Sequence, residues 1–114
     1  DGNQKKSYLN INDCIEGIFK GMKFFDDKIN IINLGTNEYI NVKRSIQNIC
    51  KVLKLKPKIV YKGGKRGWIG DNPFIFLDTK KIRSIGWKPK YSIEESVKIT
   101  TKYLVKNSWL LKKK

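Results

Sequence analysis

At 114 residues the chain has room for one small domain and none for a two-domain enzyme with its own cofactor module. Hydrophobic residues make up 39% and aromatics 11%, with three Trp, so a packed core is within reach and wholesale disorder is excluded. The 25 basic and 10 acidic residues leave a formal charge of +15, which points to an anionic partner, yet only Arg44, Arg66 and Arg83 are Arg and the other 22 are Lys. Bidentate reading of phosphates and base edges favours Arg. Sixteen Ile, ten Asn and no Ala accompany the Lys excess, a bias that suggests AT-rich coding and charge spread over solvated faces. The composition therefore argues against a dedicated nucleic-acid function.

Cys14 and Cys50 stand in a chain with no His, which removes zinc sites of ordinary Cys/His composition, Cys-His and Ser-His-Asp nucleophiles, and the commonest general base. Both Cys fall on the apolar side of predicted helices and read as small buried hydrophobes. No apolar run approaches the ~20 residues of a membrane span, and the N-terminal DGNQKKSYLN lacks a signal peptide's apolar centre, so a cytoplasmic location is expected.

Along the chain, residues 7–11 (SYLNI) alternate polar and apolar, which suits a short strand. Asp13 with Glu16 forms a capping-box-like start to a helix carrying Ile15, Ile18, Phe19 and Met22. Residues 28–34 (KINIINL) read as a largely buried strand closed by Gly35. Asn41 caps a second helix with the stripe Val42, Ile46, Ile49, Cys50 and Leu53; Pro57 bars its continuation, and residues 58–61 (KIVY) read as a third strand. The stretch GGKRGWIGDNP, residues 63–73, has no periodicity and is a loop. Asp78 caps a short helix through Ile85, ended by Gly86 and Pro89, and Ser92 with Glu95 forms a capping box for a last helix with Ile93, Val97 and Leu104 on its buried face. Trp87 belongs to the core or its turn, and residues 106–114 form a basic tail. The fold class is α/β, with about three short strands and four helices, and so thin a sheet suggests that the chain completes a larger body.

Three motifs mislead. Gly64, Gly67 and Gly70 imitate a dinucleotide fingerprint, but the residues after them show no helical stripe, and no acidic residue ends a second strand about 20 positions on. Tyr39 with Lys43 and Tyr61 with Lys65 match Tyr-x-x-x-Lys, but in a chain this rich in Lys about one match is expected by chance, and neither pair sits within a helix. The Gly64-Lys65-Arg66-Gly67 loop follows a strand, whereas the similar basic loop of KH modules joins two helices.

Three segments in order carry a resemblance: DGNQKKSYLNINDCIEG, INLGT before a capped helix, and RGWIGDNPFIFLDTKKIRSIGWKPKYSIEES. Over about residues 1–105 the chain resembles the C-terminal part of the NAD-dependent epimerase/dehydratase family of extended short-chain dehydrogenases, nearest its UDP-glucose 4-epimerase-like members. The resemblance implies the nucleoside-diphosphate-sugar-binding portion of such an enzyme, with NAD and the catalytic Tyr-Lys pair held by a missing N-terminal Rossmann portion. It implies transient oxidation at a sugar carbon and return of the hydride to the other face. Catalytic, metal-binding and cofactor-binding residues are expected to be absent here, and the lack of an initiating Met fits a fragment. A homodimer of the complete enzyme is one arrangement the resemblance allows. The alternatives are a small basic nucleic-acid-binding module and a non-catalytic adaptor derived from the enzyme.

Carried over residue by residue, the resemblance implies four substrate-binding positions. Lys6 takes the place of an Arg that contacts the substrate diphosphate, and supplies charge without the planar fork. Tyr8 matches the aromatic two positions on and either lines the site or packs. Arg66 lies in the loop of a second diphosphate-binding Arg, although Trp68 is nearer that Arg's usual position. Asp71 matches the loop's Asp, expected to orient Arg66, brace the turn or touch ligand. Of the two cations, Arg66 is expected to be the stronger anchor.

Overall fold

A computed structural model describes residues 1–25, 29–64, 66–72 and 74–112. It is an α/β arrangement of a two-stranded sheet and four helices: β1 (Lys5–Lys6), α1 (Ile11–Phe24), β2 (Ile40–Asn41), α2 (Val42–Leu53), α3 (Lys80–Ser84) and α4 (Ile93–Lys106). The strands pair antiparallel, Lys5 opposite Asn41 and Lys6 opposite Ile40. Two further bonds, Val42 N–H to the Gln4 carbonyl (3.1 Å) and Lys43 N–H to that of Gly2 (2.9 Å), fasten the N-terminus to the start of α2.

The local helix signals hold where they act within one turn. Asn41 accepts the Arg44 N–H at 2.7 Å and starts α2. Ser92 and Glu95 form the reciprocal capping box of α4. At α3 the cap is Thr79, without a side-chain cap bond, rather than the expected Asp78, which accepts the Lys80 N–H at 2.9 Å from one position earlier.

The start of α1 differs from the expectation. Asn10, not Asp13, is the cap, accepting the Asn12 N–H at 3.0 Å. Asp13 lies in the first turn, 1% exposed, and its carboxylate accepts the Tyr91 N–H at 3.1 Å while its carbonyl accepts the Trp87 indole N–H at 3.2 Å. Glu16, the other half of the expected box, pairs with Lys90 at 2.7 Å. Asp13 thus ties α1 to the turn before α4, a long-range role that a local pattern does not reveal.

The strands also differ. Residues 7–10 lie outside the ladder, and Ile11 already begins α1. The segment expected as strand 28–34 has its first residue outside those described, and neither its remainder nor residues 58–61 pairs in a sheet among the described residues. Extended chain becomes a strand only with a ladder partner. Ile32 and Leu34 turn toward α1 while Ile29 and Ile31 stay more than 80% exposed.

The buried hydrophobic residues are Ile40, Ile82, Trp87 and Ile93. Trp87 reaches α1 because position 17 is Gly: a Cβ there would stand 2.7 Å from Leu34 Cδ2 and 3.0 Å from the Trp87 ring. So α1 packs inward through Asp13, Gly17 and Gly21, and its larger apolar stripe of Ile15, Ile18, Phe19 and Met22 is left 44 to 72% exposed. On α4 Ile93 is buried and Val97 and Leu104 half-buried; on α2 only Ser45 is fully buried. Cys14 and Cys50 are free and half-buried rather than buried. Glu38 accepts the Ile93 N–H at 3.0 Å and Arg44 meets Glu94 at 2.7 Å, so α4 is held from both the β2 approach and α2. Within the expected tail, α4 continues to Lys106 and residues Ser108–Leu111 form a 3-10 turn, with Lys113 and Lys114 outside the described residues. No helix among the described residues is long and apolar enough to cross a membrane.

Candidate functional site

β1 and the two residues after it run beside the glycine loop, and between them opens a cleft of about 390 Å³. Lys6 and Tyr8 line one part of it, Trp68 and Asp71 another, and Leu34, Ile75 and Leu77 supply apolar surface. Three of the four sequence-expected binding residues therefore meet in one cavity. The fourth, Arg66, is exposed on the same loop and is not among the lining residues.

Polar contacts hold the cleft together. The Lys6 ammonium forms an ion pair with Asp71 Oδ1 and donates to the Asn72 carbonyl at 2.8 Å. The other carboxylate oxygen, Oδ2, accepts the Gly67 N–H at 3.1 Å, and the Asp71 N–H donates to the Trp68 carbonyl at 3.0 Å. The Lys6 hydrogen bond first, then that of Gly67, hold the Asp71 carboxyl below its ordinary value of 3.8, and the Arg66 charge adds to the shift. Asp71 thus braces the turn and fixes Lys6, while its tie to Arg66 is through charge alone. Tyr8 lines the cleft and is 41% exposed.

Lys5 and Asn72 belong to the site and were not singled out from sequence. Lys5 lines the cleft with its ammonium 4.5 Å from the centre of the Tyr39 ring. Ile75 and Leu77 had a legible signal. They alternate with Phe74 and Phe76, whose rings stack on each other at 5.6 Å while Phe74 meets Tyr39 edge-on; such period-two spacing marks extended chain with two faces.

The glycine loop is not followed directly by a helix, as the dinucleotide fingerprint requires. After Gly70 no helix begins among the described residues until Lys80, and the donors that bind such a group are the free N–H groups of a helix's first turn. Tyr39 precedes α2 rather than sharing a helix face with Lys43, and Lys65, the second half of the other Tyr-x-x-x-Lys match, lies outside the described residues. No group of three or more potential metal-ligating side chains occurs among the described residues.

No protein-family model matches the chain. A protein of Methanocaldococcus jannaschii provisionally named a UDP-glucose 4-epimerase is 25% identical over 108 residues, 95% of this chain and 33% of that one. The UDP-glucose 4-epimerase of Thermotoga maritima, solved with UDP-glucose, superposes with a TM-score of 0.79 at 27% identity over 95% of this chain and 34% of that one. The fold recurs in the UDP-glucuronic acid 4-epimerase of Bacillus cereus, solved with UDP-glucuronic acid and NAD, at a TM-score of 0.75 and 21% identity over 94% of this chain and 34% of that one. The chain spans between 16% and 33% of the length of the curated relatives it matches. In sequence and in fold it matches the C-terminal portion of the NAD-dependent epimerase/dehydratase family, UDP-glucose 4-epimerase-like members among them.

Proposed function

We propose that this chain is the nucleotide-sugar-binding portion of an NAD-dependent nucleotide-sugar epimerase or dehydratase, and that the cleft between β1 and the glycine loop receives the diphosphate of the sugar nucleotide. One observation carries the reading: residues 65 positions apart, each in a segment that resembles a family motif, meet as the Lys6–Asp71 pair inside that cleft. Lys6 and Lys5 supply positive charge, and Arg66 stands on the loop beside them. An anion entering here is drawn by a chain of formal charge +15 and meets the Lys6 ammonium, which Asp71 holds in position.

The dinucleotide belongs to the remainder of the enzyme in this reading, as do the groups that move the sugar's proton and hydride. This chain binds and orients. Two features support such a division. The glycine loop does not enter a helix, and α1 turns its large apolar side chains outward beside a groove of about 420 Å³ lined by Ile18, Met22 and Ile32. Uncovered apolar surface of this kind is suited to the body that carries the dinucleotide.

Calorimetry on the full-length protein tests the reading. UDP binds wild type, Lys6→Ala and Asp71→Asn each weaken UDP severalfold or more, and NAD affinity is unchanged by either substitution. Equal losses for UDP and NAD would place the cleft outside the substrate site and overturn the proposal.

A further inference from the structure

We propose that Trp68 is the nucleobase platform of the cleft, its indole stacking on the base of the nucleoside-diphosphate sugar; this rests on the reading of the cleft as a nucleotide-sugar site. Trp68 lines the cleft while 70% exposed, in contrast to Trp87, which is 2% exposed and packed into the core. Its ring lies down on its own loop: a Cβ at Gly70 would collide with it, so glycine there is what admits the indole. The turn beneath is locked by the Asp71 N–H on the Trp68 carbonyl and the Gly67 N–H on Asp71, and Lys6 anchors Asp71 from β1. The loop that carries the ring is therefore held in place before any ligand arrives, which lowers the ordering cost of binding.

The position of Trp68 relative to the charges decides which ring of the ligand it meets. A sugar nucleotide has its diphosphate between the hexose and the nucleoside. With the diphosphate near Lys6, one end must reach the hydride carrier and the other stays at the rim. In the proposed function the hydride carrier is held outside this chain, so the hexose is directed out of it toward the carrier. The nucleoside end remains, and an exposed indole offers it a flat apolar face that any base can use. An aromatic thus stands near the position where the family resemblance calls for a phosphate-binding Arg, and it exchanges charge for stacking.

The test uses the full-length protein with UDP and inorganic pyrophosphate as probes, and compares wild type with Trp68→Ala and Trp68→Phe. Because the side chain is largely exposed, neither variant opens the core. Trp68→Ala is expected to raise the UDP dissociation constant about tenfold, Trp68→Phe to restore most of it, and pyrophosphate to bind all three alike. UDP should quench tryptophan emission in wild type and far less in either variant. Equal weakening of UDP and pyrophosphate would reduce Trp68 to a loop support, and UDP binding unchanged in Trp68→Ala would remove the stacking role while leaving the nucleotide site intact. A wild-type protein that binds neither probe would overturn the reading of the cleft, and the platform with it.

Discussion

Lys6 and Asp71 form an ion pair in which the Asp71 side chain is only 11% exposed, and through it β1 and the glycine loop become two sides of one cleft. The pair gives the site a defined pH response. Asp71 titrates below its ordinary value of 3.8, so the stabilisation it provides is complete above that value and is lost as pH falls through the lower folded-state value. The difference in urea midpoint between wild type and Asp71→Asn should be constant from about pH 8 to 5 and shrink below about pH 4. A difference that instead grew on acidification would show the carboxylate to be unfavourable in the fold.

The same geometry ranks the two candidate anchors. From sequence, Arg66 carries more weight because its guanidinium can form paired bonds to phosphate. In the fold Lys6 is in the cleft with its ammonium on Asp71 and Asn72, while Arg66 is exposed outside the lining. Lys6→Ala should therefore weaken UDP binding by roughly tenfold, the scale of one charge-assisted hydrogen bond, and Arg66→Ala by less. Titration of both variants at one salt concentration checks the order, and the Arg66 effect should fade further as salt rises.

Gly17 and Trp87 make a third, structural test. A methyl group at position 17 enters the space of Leu34 and the Trp87 ring, and overpacking of this kind costs typically 1–3 kcal/mol. Gly17→Ala should lower stability by that amount in urea unfolding. Trp87→Phe should cost about 1 kcal/mol through the lost bond to the Asp13 carbonyl, plus the cavity left by the smaller ring. Gly17→Ala with wild-type stability would show that α1 can shift away from the Trp87 turn.

What the sequence revealed follows from the range of each interaction. The Ser92/Glu95 box and the Asn41 cap act over three residues, and both were legible as local patterns. Asp13 looks locally like a cap, but its carboxylate is spent on Tyr91, 78 residues away, and Asn10 takes the cap. Glu38 reaches across 55 residues to α4 and carries no local signature. Residues 29–34 and 58–61 have strand composition, yet pairing depends on a neighbour that composition does not specify. For the site, family motifs brought out Lys6, Tyr8 and Asp71, but the separation of Arg66 from the cleft depends on the course of the loop. The helical period of α1 was equally legible, whereas which of its faces packs inward was not. Small residues at 17 and 21 admit close neighbours, and the bulkier stripe then points away.

That outward stripe leads to the last prediction. Phe19 is 66% and Met22 72% exposed, on one face of a 14-residue helix, next to the groove lined by Ile18 and Ile32. Apolar area left in water costs about 25 cal/mol per Å², so a face of this size drives association with whatever can cover it. In the 114-residue chain alone the available cover is another copy, and self-association is expected; in the proposed full-length enzyme the dinucleotide-holding body is expected to cover it. Phe19→Glu with Met22→Glu should therefore act in opposite senses, raising the monomer fraction of the chain alone and lowering the thermal midpoint of the full-length protein by several degrees. Light scattering after size exclusion reads the first and calorimetric melting the second. If the double variant leaves the full-length melting point unchanged, α1 faces solvent in the complete enzyme and the proposed contact lies elsewhere.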